Sequence, residues 1–148
     1  MPTLSIVTEA DIPQLSQLLN LLFTQESEFK PDEHAQCRGL AMIIGAPDVG
    51  AILVARDGQR IVAMVNLLFS VSTALGERVA ILEDMIVAPD ARGSGIGSAL
   101  INYAINFARE NGVKRITLLT DHENSSAHRF YSKHGFTHST MVPMRLFV

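Results

Sequence analysis

Residues 87–100 read VAPDARGSGIGSAL, an apolar strand end running through three closely spaced glycines into an amphipathic helix. Gly93, Gly95 and Gly97 lack a Cβ, so the chain there can turn tightly and let a ligand touch its N–H groups. The first turn of the following helix leaves its N–H donors unpaired, and the helix dipole adds roughly half a positive charge at that end. Such a loop is a socket for phosphate or pyrophosphate.

The spacing decides between guests. A dinucleotide pattern G-x-G-x-x-G would need glycine at position 98 or 100, where Ser98 and Leu100 stand. A Walker-type loop ends in Gly-Lys-Ser/Thr, and no lysine occurs between Gly50 and Lys114. What remains is Arg92-x-x-Gly95-x-Gly97 after a strand ending Ile86-Val87-Ala88-Pro89. This resembles the pyrophosphate loop of the GCN5-related N-acetyltransferases (GNAT), which reads Arg/Gln-x-x-Gly-x-Gly/Ala. Downstream, Asn124, Ala127, Phe130, Tyr131, Gly135 and Phe136 match a second stretch of that family, Asn-x-x-Ala-x-x-Phe-Tyr-x-x-x-Gly-Phe.

At 148 residues the chain is expected to form a single domain over residues 1–148. A net charge of -3 with 18% charged residues gives no electrostatic basis for nucleic-acid binding. The N-terminus lacks a basic, apolar leader, and no run of about 18 apolar residues occurs, so a protein of the cytoplasm with no membrane contact is expected. The single cysteine, Cys37, cannot close an internal disulfide and fits a reducing compartment.

Hydrophobic periodicity predicts a strand over Leu4 to Val7 and a helix from a Thr8/Asp11 capping box to Phe23. A second helix over Glu33 to Ile44 follows, then a hairpin of Ala51 to Arg56 and Ile61 to Ser70 about Asp57-Gly58. Next come a strand over Val79 to Val87, a helix to Asn111-Gly112, a strand over Lys114 to Thr120 and a helix over Ser125 to His134. Two short strands, Phe136 to Thr140 and Val142 to Phe147, complete the expectation. The strand, helix and strand about the glycine loop imply a right-handed parallel crossover. The predicted class is α/β (α+β): a mixed, mainly antiparallel sheet with one parallel pair at its centre, flanked by helices. By resemblance that pair is splayed.

Glu83 and Asp84 stand side by side in an otherwise apolar strand, and alternation places them on opposite faces. Two readings stand. Either an acid pairs with Arg56, Arg60 or Arg78, or Glu83 takes a proton, directly or through water, from an amine that arrives as an ammonium, its pKa raised by partial burial. Asp84 is read as a structural or charge-matching residue.

Asn124 and Tyr131 lie seven residues apart, about 700° of helical rotation, and so share a face. The resemblance implies that Tyr131 protonates the departing thiolate of coenzyme A and that Asn124 contacts this cosubstrate. It further implies that the backbone of Met85, Ile86 and Val87 pairs with the pantetheine arm of acetyl-CoA. Arg92, Gly93, Ser94, Gly95, Ile96 and Gly97 would hold the pyrophosphate, with Ser98 at the helix start as a further donor. The five histidines lack metal-ligand spacing, since His128 and His134 fall on different helical faces. No metal is expected.

The resemblance places acceptor selection in residues 24–32, with Glu26, Glu28 and Phe29, and in the turn from Ser72 to Arg78. These acids suit a cationic amine, although a solvated polar turn has the same composition. In form, LEDMIVAPDARGSGIG is nearest the diamine and spermidine enzymes of the family. It departs from them in Ser72-Thr73-Ala74-Leu75-Gly76, which lacks an acid and an aromatic. The expected activity is acetyl transfer from acetyl-CoA to the primary amine of a small molecule. A protein or peptide acetyltransferase and a non-catalytic acyl-CoA sensor are the alternatives. A homodimer through the C-terminal strands follows from the resemblance alone.

Overall fold

A computed structural model describes residues 2–26 and 29–148. Glu28, one of the acids expected near the acceptor, lies outside the described residues. The elements are β1 (Thr3–Ile6), a 3-10 turn (Glu9–Asp11), α1 (Ile12–Gln25), α2 (Glu33–Ile44), β2 (Gly50–Asp57) and β3 (Arg60–Ser72). They continue with β4 (Glu77–Val87), a 3-10 turn (Pro89–Ala91), α3 (Ile96–Glu110), β5 (Val113–Leu118) and α4 (Ser125–Lys133).

Local chemistry sets the element ends. The Asp11 carboxylate accepts the Thr8 N–H at 2.9 Å, starting the first helical turn, and Asp32 accepts the Ala35 N–H at the head of α2. Asp11 also takes both guanidinium nitrogens of Arg56, at 2.9 and 2.6 Å, tying the head of α1 to β2. Gly58 turns the β2–β3 hairpin at φ 61°, a conformation that suits glycine.

The sheet order is β1-β2-β3-β4-β5, antiparallel throughout except for the parallel pair β4 and β5. That pair stands at the sheet edge, not at its centre, because the two expected C-terminal strands do not form: residues 136–148 hold no strand. Val142, Met144 and Leu146 alternate as a strand would, but Pro143 lacks a donor and no neighbouring strand pairs with the segment. Met141, Val142, Met144, Leu146 and Phe147 are 80% or more exposed.

Two cores flank the sheet. Leu53, Val65, Leu67, Ala80 and Leu82 pack with Leu100, Ile101 and Ala104 of α3. Ile52, Val54, Met64 and Ile86 pack with Leu15, Leu18 and Leu19 of α1 and Leu40 of α2. Along β4 and into the residue after it the side chains change allegiance: Ala80 and Leu82 face α3, whereas Ile86 and Ala88 face α1. A regular strand keeps even-numbered residues on one face, so an extra residue must intervene. The register shows it, Asn66 lying opposite Glu83 and Met64 opposite Ile86. This is a β-bulge at Asp84.

Candidate active site

The loop after β4 is built as a backbone socket. Gly93 and Gly95 adopt φ 82° and 83°, and Gly95 is the left-handed N-cap residue of α3. Nothing stands within 4 Å of where a Cβ would project from either glycine, so open space adjoins the loop. A hollow of about 210 Å³ is lined by Val87, Ala91, Arg92, Gly93, Gly95, Ile96, Gly97, Ser98 and Phe130. Arg92 Nε donates to the Val87 carbonyl at 3.0 Å and Ser94 Oγ to the Ala91 carbonyl at 2.7 Å, which fix the loop's path. The head of α3, with its unpaired N–H groups and dipole, opens on this hollow. Its dimensions and donors suit a pyrophosphate.

Beside it the sheet parts. The β4–β5 ladder runs from Arg78/Val113 to Leu82/Leu118 and stops, while β4 continues to Val87. Main-chain groups of Met85, Ile86 and Val87 on that side have no strand partner, in the place where an extended amide-bearing arm would pair. The Val87 carbonyl is the exception, since Arg92 already holds it.

Tyr131, on α4, packs against the α3-side core and lines neither hollow. Its ring meets Phe130 edge-on at 5.2 Å and Phe136 at 5.6 Å between centroids. Burial pushes its hydroxyl up to about 12, so the group stays protonated and able to donate. Asn124 serves first as a helix cap, its side chain accepting the Ala127 N–H at 3.1 Å. Ser98 is linked to α4 through His134 Nε2 at 3.1 Å.

On the α1/α2 side of β4 lies a cleft of about 320 Å³. Leu19, Phe23, Phe29, Leu40, Ile43 and Leu68 form its apolar walls, and Asn66, Glu83 and Asp84 its acidic end. The expectation that Glu83 and Asp84 point to opposite faces is therefore wrong: the bulge turns both toward one cleft. The arginines expected as structural partners are engaged elsewhere. Arg56 binds Asp11, Arg60 binds Asp90, and the Arg78 guanidinium lies 4.6 Å from the centre of the Phe69 ring. Glu83 is exposed rather than partly buried.

Asp84, for which the sequence predicts a structural role, is the acid with the more unusual surroundings. Burial, reinforced by the charges of Glu83 and Glu26, pushes its carboxyl up to about 7, against the pull of a hydrogen bond from Asn66. Burial also raises the Glu26 carboxyl, with Asp121 and Glu83 adding to the effect and Arg145 opposing it. Phe29 packs on Phe23 at 5.6 Å, and the Arg145 guanidinium sits 5.6 Å from the Phe29 centroid. A tail cation thus already rests at the acidic, aromatic mouth. Among the described residues no group of three or more His, Cys, Asp or Glu side chains is arranged to hold a metal ion.

Comparison with known proteins agrees with this architecture. An N-acetyltransferase of Bacillus subtilis, YhfO, is 34% identical over 89 residues, 60% of each chain. The aminoalkylphosphonate N-acetyltransferase of Salmonella typhimurium is 31% identical over 101 residues, 68% of this chain and 65% of that one. Streptothricin acetyltransferase A of B. subtilis is 46% identical over 57 residues, 38% of this chain and 33% of its own length. The matched region thus spans from about a third to just under two thirds of these relatives. Among solved structures, an acetyltransferase of Trypanosoma brucei superposes with TM-score 0.76 at 26% identity, covering 100% of both chains. A protein of Bacillus halodurans described as a transcriptional regulator superposes with TM-score 0.85 at 28% identity, over 99% of this chain and 100% of that one. Residues 13–136 match the acetyltransferase (GNAT) family, and the chain belongs to it.

Proposed function

We propose that this protein transfers the acetyl group of acetyl-CoA directly to the primary amine of a small molecule. The observation that carries the reading is that two hollows adjoin one strand, β4, whose ladder with β5 ends at Leu82. The glycine-loop socket lies at the end of β4, and the acid-ended cleft lies on the α1/α2 side of the same strand. Arg92 through Ser98 hold the pyrophosphate, and Met85, Ile86 and the Val87 N–H take the pantetheine arm. Asn124 offers the amide nitrogen that its capping role leaves unused. A strand N–H near Met85 or Ile86 faces the developing oxyanion.

An acid of β4, Glu83 on the sequence reading, relieves the ammonium of its proton. Tyr131, which holds its hydroxyl proton, supplies one to the departing thiolate. Glu26 and Phe29 draw a cation to the mouth of the cleft. A cleft of about 320 Å³ with apolar walls is of the size that takes a small molecule. Two relatives named for aminoalkylphosphonate and streptothricin support the same choice. The diamine-type motif supports a cationic acceptor.

Association of two copies through the C-terminal segment belongs to the same proposal. Its support is the exposed run Met141, Val142, Met144, Leu146 and Phe147, together with the open edge of β5. Light scattering on the purified chain and on a chain ending at residue 140 tests it: loss of a dimer on truncation supports it, and a monomer in both refutes it. A cytoplasmic location rests on the free Cys37. No helix of the described residues is long and apolar enough to cross a membrane.

The likeness to a structure described as a transcriptional regulator favours one second reading, an acyl-CoA-binding regulator without turnover. A panel of primary amines with acetyl-CoA, followed by free thiol release, separates the two. Amine-dependent thiol release establishes the enzyme, and tight acetyl-CoA binding with no thiol release on any amine establishes the regulator.

A further inference from the structure

Asp84 is the only non-glycine residue with positive φ among the described residues, at 55°. That backbone costs an ordinary L-residue roughly 1–2 kcal/mol, and Asp and Asn tolerate it best. Strain of this kind persists where the surrounding structure enforces it, most often at functional sites. Here the enforcing feature is the β4 bulge, and its effect is to bring the carboxyl to the acceptor cleft.

The partner of Asp84 is equally unusual. Asn66 is 2% exposed, its Nδ2 donates to Asp84 Oδ2, and its Oδ1 has no hydrogen-bond partner. A buried acceptor left without a donor costs about 1–3 kcal/mol. This amide therefore offers a donor to a charged carboxylate and an unused acceptor to a protonated one.

On the acetyl-transfer reading above, we propose that Asp84 is the group that takes the proton of the acceptor's ammonium. Asn66 is its positioning partner, and Glu83 is the acid that draws the ammonium in. The base thereby moves one residue along β4 from the sequence expectation, to the half-buried acid that the bulge turns into the cleft.

The step balances. One N–H bond of the ammonium breaks, its electron pair stays on nitrogen, and the proton passes to an Asp84 oxygen. The amine attacks the thioester carbonyl carbon, the C–S bond breaks, and sulfur leaves with the pair and takes the Tyr131 proton. The second nitrogen proton returns to Tyr131 through solvent, and Asp84 gives its proton to water. Ammonium and thioester become amide, thiol and one released proton.

Burial places the Asp84 carboxyl near 7, where a base at neutral pH is most effective. The charged groups facing it are Glu83 on β4, Glu26 at the end of α1, and Lys30 and Asp32 of the segment before α2.

The test compares kcat/KM against pH for wild type, Asp84→Asn, Asn66→Ala and Glu83→Gln, with acetyl-CoA and the best acceptor of a primary-amine panel. Asn keeps the shape of Asp and accepts the left-handed backbone, and thermal melting checks the fold. In the wild type the rate rises with pH and levels off near 7. Asp84→Asn should lose on the order of 100-fold in kcat together with that rising limb. Asn66→Ala removes the bond that favours the carboxylate and should move the limb to higher pH. Glu83→Gln should raise KM and retain the limb, moved to lower pH because a charge that raises the Asp84 carboxyl is gone. A folded Asp84→Asn enzyme with its kcat and limb retained would overturn the assignment, as would an Asn66→Ala limb that does not move. A wild type that binds acetyl-CoA but acetylates no amine would overturn this assignment and its parent reading together.

Discussion

The glycine loop and the acceptor cleft lie at opposite sides of one strand, and they are made of different material. The loop binds with main-chain N–H groups and needs only the absence of side chains at Gly93 and Gly95. The cleft binds with side chains contributed by α1, the segment before α2, α2, β3 and β4, and its acidic end depends on one extra residue in a strand ladder. Backbone sites are written locally and can be read from spacing. Side-chain sites are assembled by the tertiary fold, so the loop should resist most substitutions outside its glycines, whereas the cleft should answer to changes on five segments.

The sharpest division between binding and chemistry is expected at Tyr131. Tyr131→Phe removes the proton donor but keeps the ring contacts with Phe130 and Phe136. Turnover should fall roughly 10²- to 10⁴-fold with acetyl-CoA affinity unchanged in calorimetry. Full turnover would remove Tyr131 from the mechanism.

The cleft should also register in stability. The folded protein holds the Asp84 proton up to about 7, whereas the unfolded chain releases it near 3.8, so stability falls as pH rises through that window. Asp84→Asn removes the penalty. Its advantage over wild type should be absent at pH 3 and reach at most about 4 kcal/mol at pH 8, as read by urea unfolding. A flat difference would show that the carboxyl is not perturbed.

Asp11 is the control, remote from either hollow. Its hydrogen bonds from Arg56, the largest effect, and from the Thr8 backbone hold its carboxyl below the usual range. That stabilisation is present above about pH 4 and is lost as pH falls. Asp11→Asn should cost about 1–3 kcal/mol at pH 7 and leave the turnover of the folded enzyme unaltered.

Two glycines sharpen the reading of the loop. Gly95→Ala forces a side chain into φ 83°, with a strain of roughly 1–2 kcal/mol and about a tenfold loss of acetyl-CoA affinity. At Gly97 a Cβ would meet the Phe130 ring and Val87 at 3.5 Å, ordinary contact, and φ is not positive. Gly97→Ala should therefore change melting and affinity least of all. Equal losses at the two positions would mean that crowding, not backbone conformation, governs the socket.

The contrast in material explains what could be read ahead of the structure. The strand, glycine loop and helix of residues 87–100 form as expected, because Gly93, Gly95 and the amphipathic run from Ile96 are local signals. The helix Glu33–Ile44 appears with the expected ends, fixed by the Asp32 cap. The β4 bulge was silent, since Val79, Ala80, Ile81 and Leu82 are all apolar and carry no period-2 pattern to show where the faces exchange. Strict alternation therefore puts Asp84 on the wrong face, and nothing in the apolar strand around Asn66 marks it as its partner. The C-terminal segment failed in the other direction: its alternation is legible, but pairing needs a neighbour that the fold of one chain does not supply.

The central claim, that bared main-chain donors at the head of α3 grip a pyrophosphate, is tested most directly by titrating the purified protein with acetyl-CoA and with acetylpantetheine, which lacks that group. The account predicts heat and thermal protection with acetyl-CoA, at least about tenfold weaker binding of acetylpantetheine, and a gap that narrows in Gly95→Ala. Equal affinity for the two ligands, or no binding of either, would contradict it.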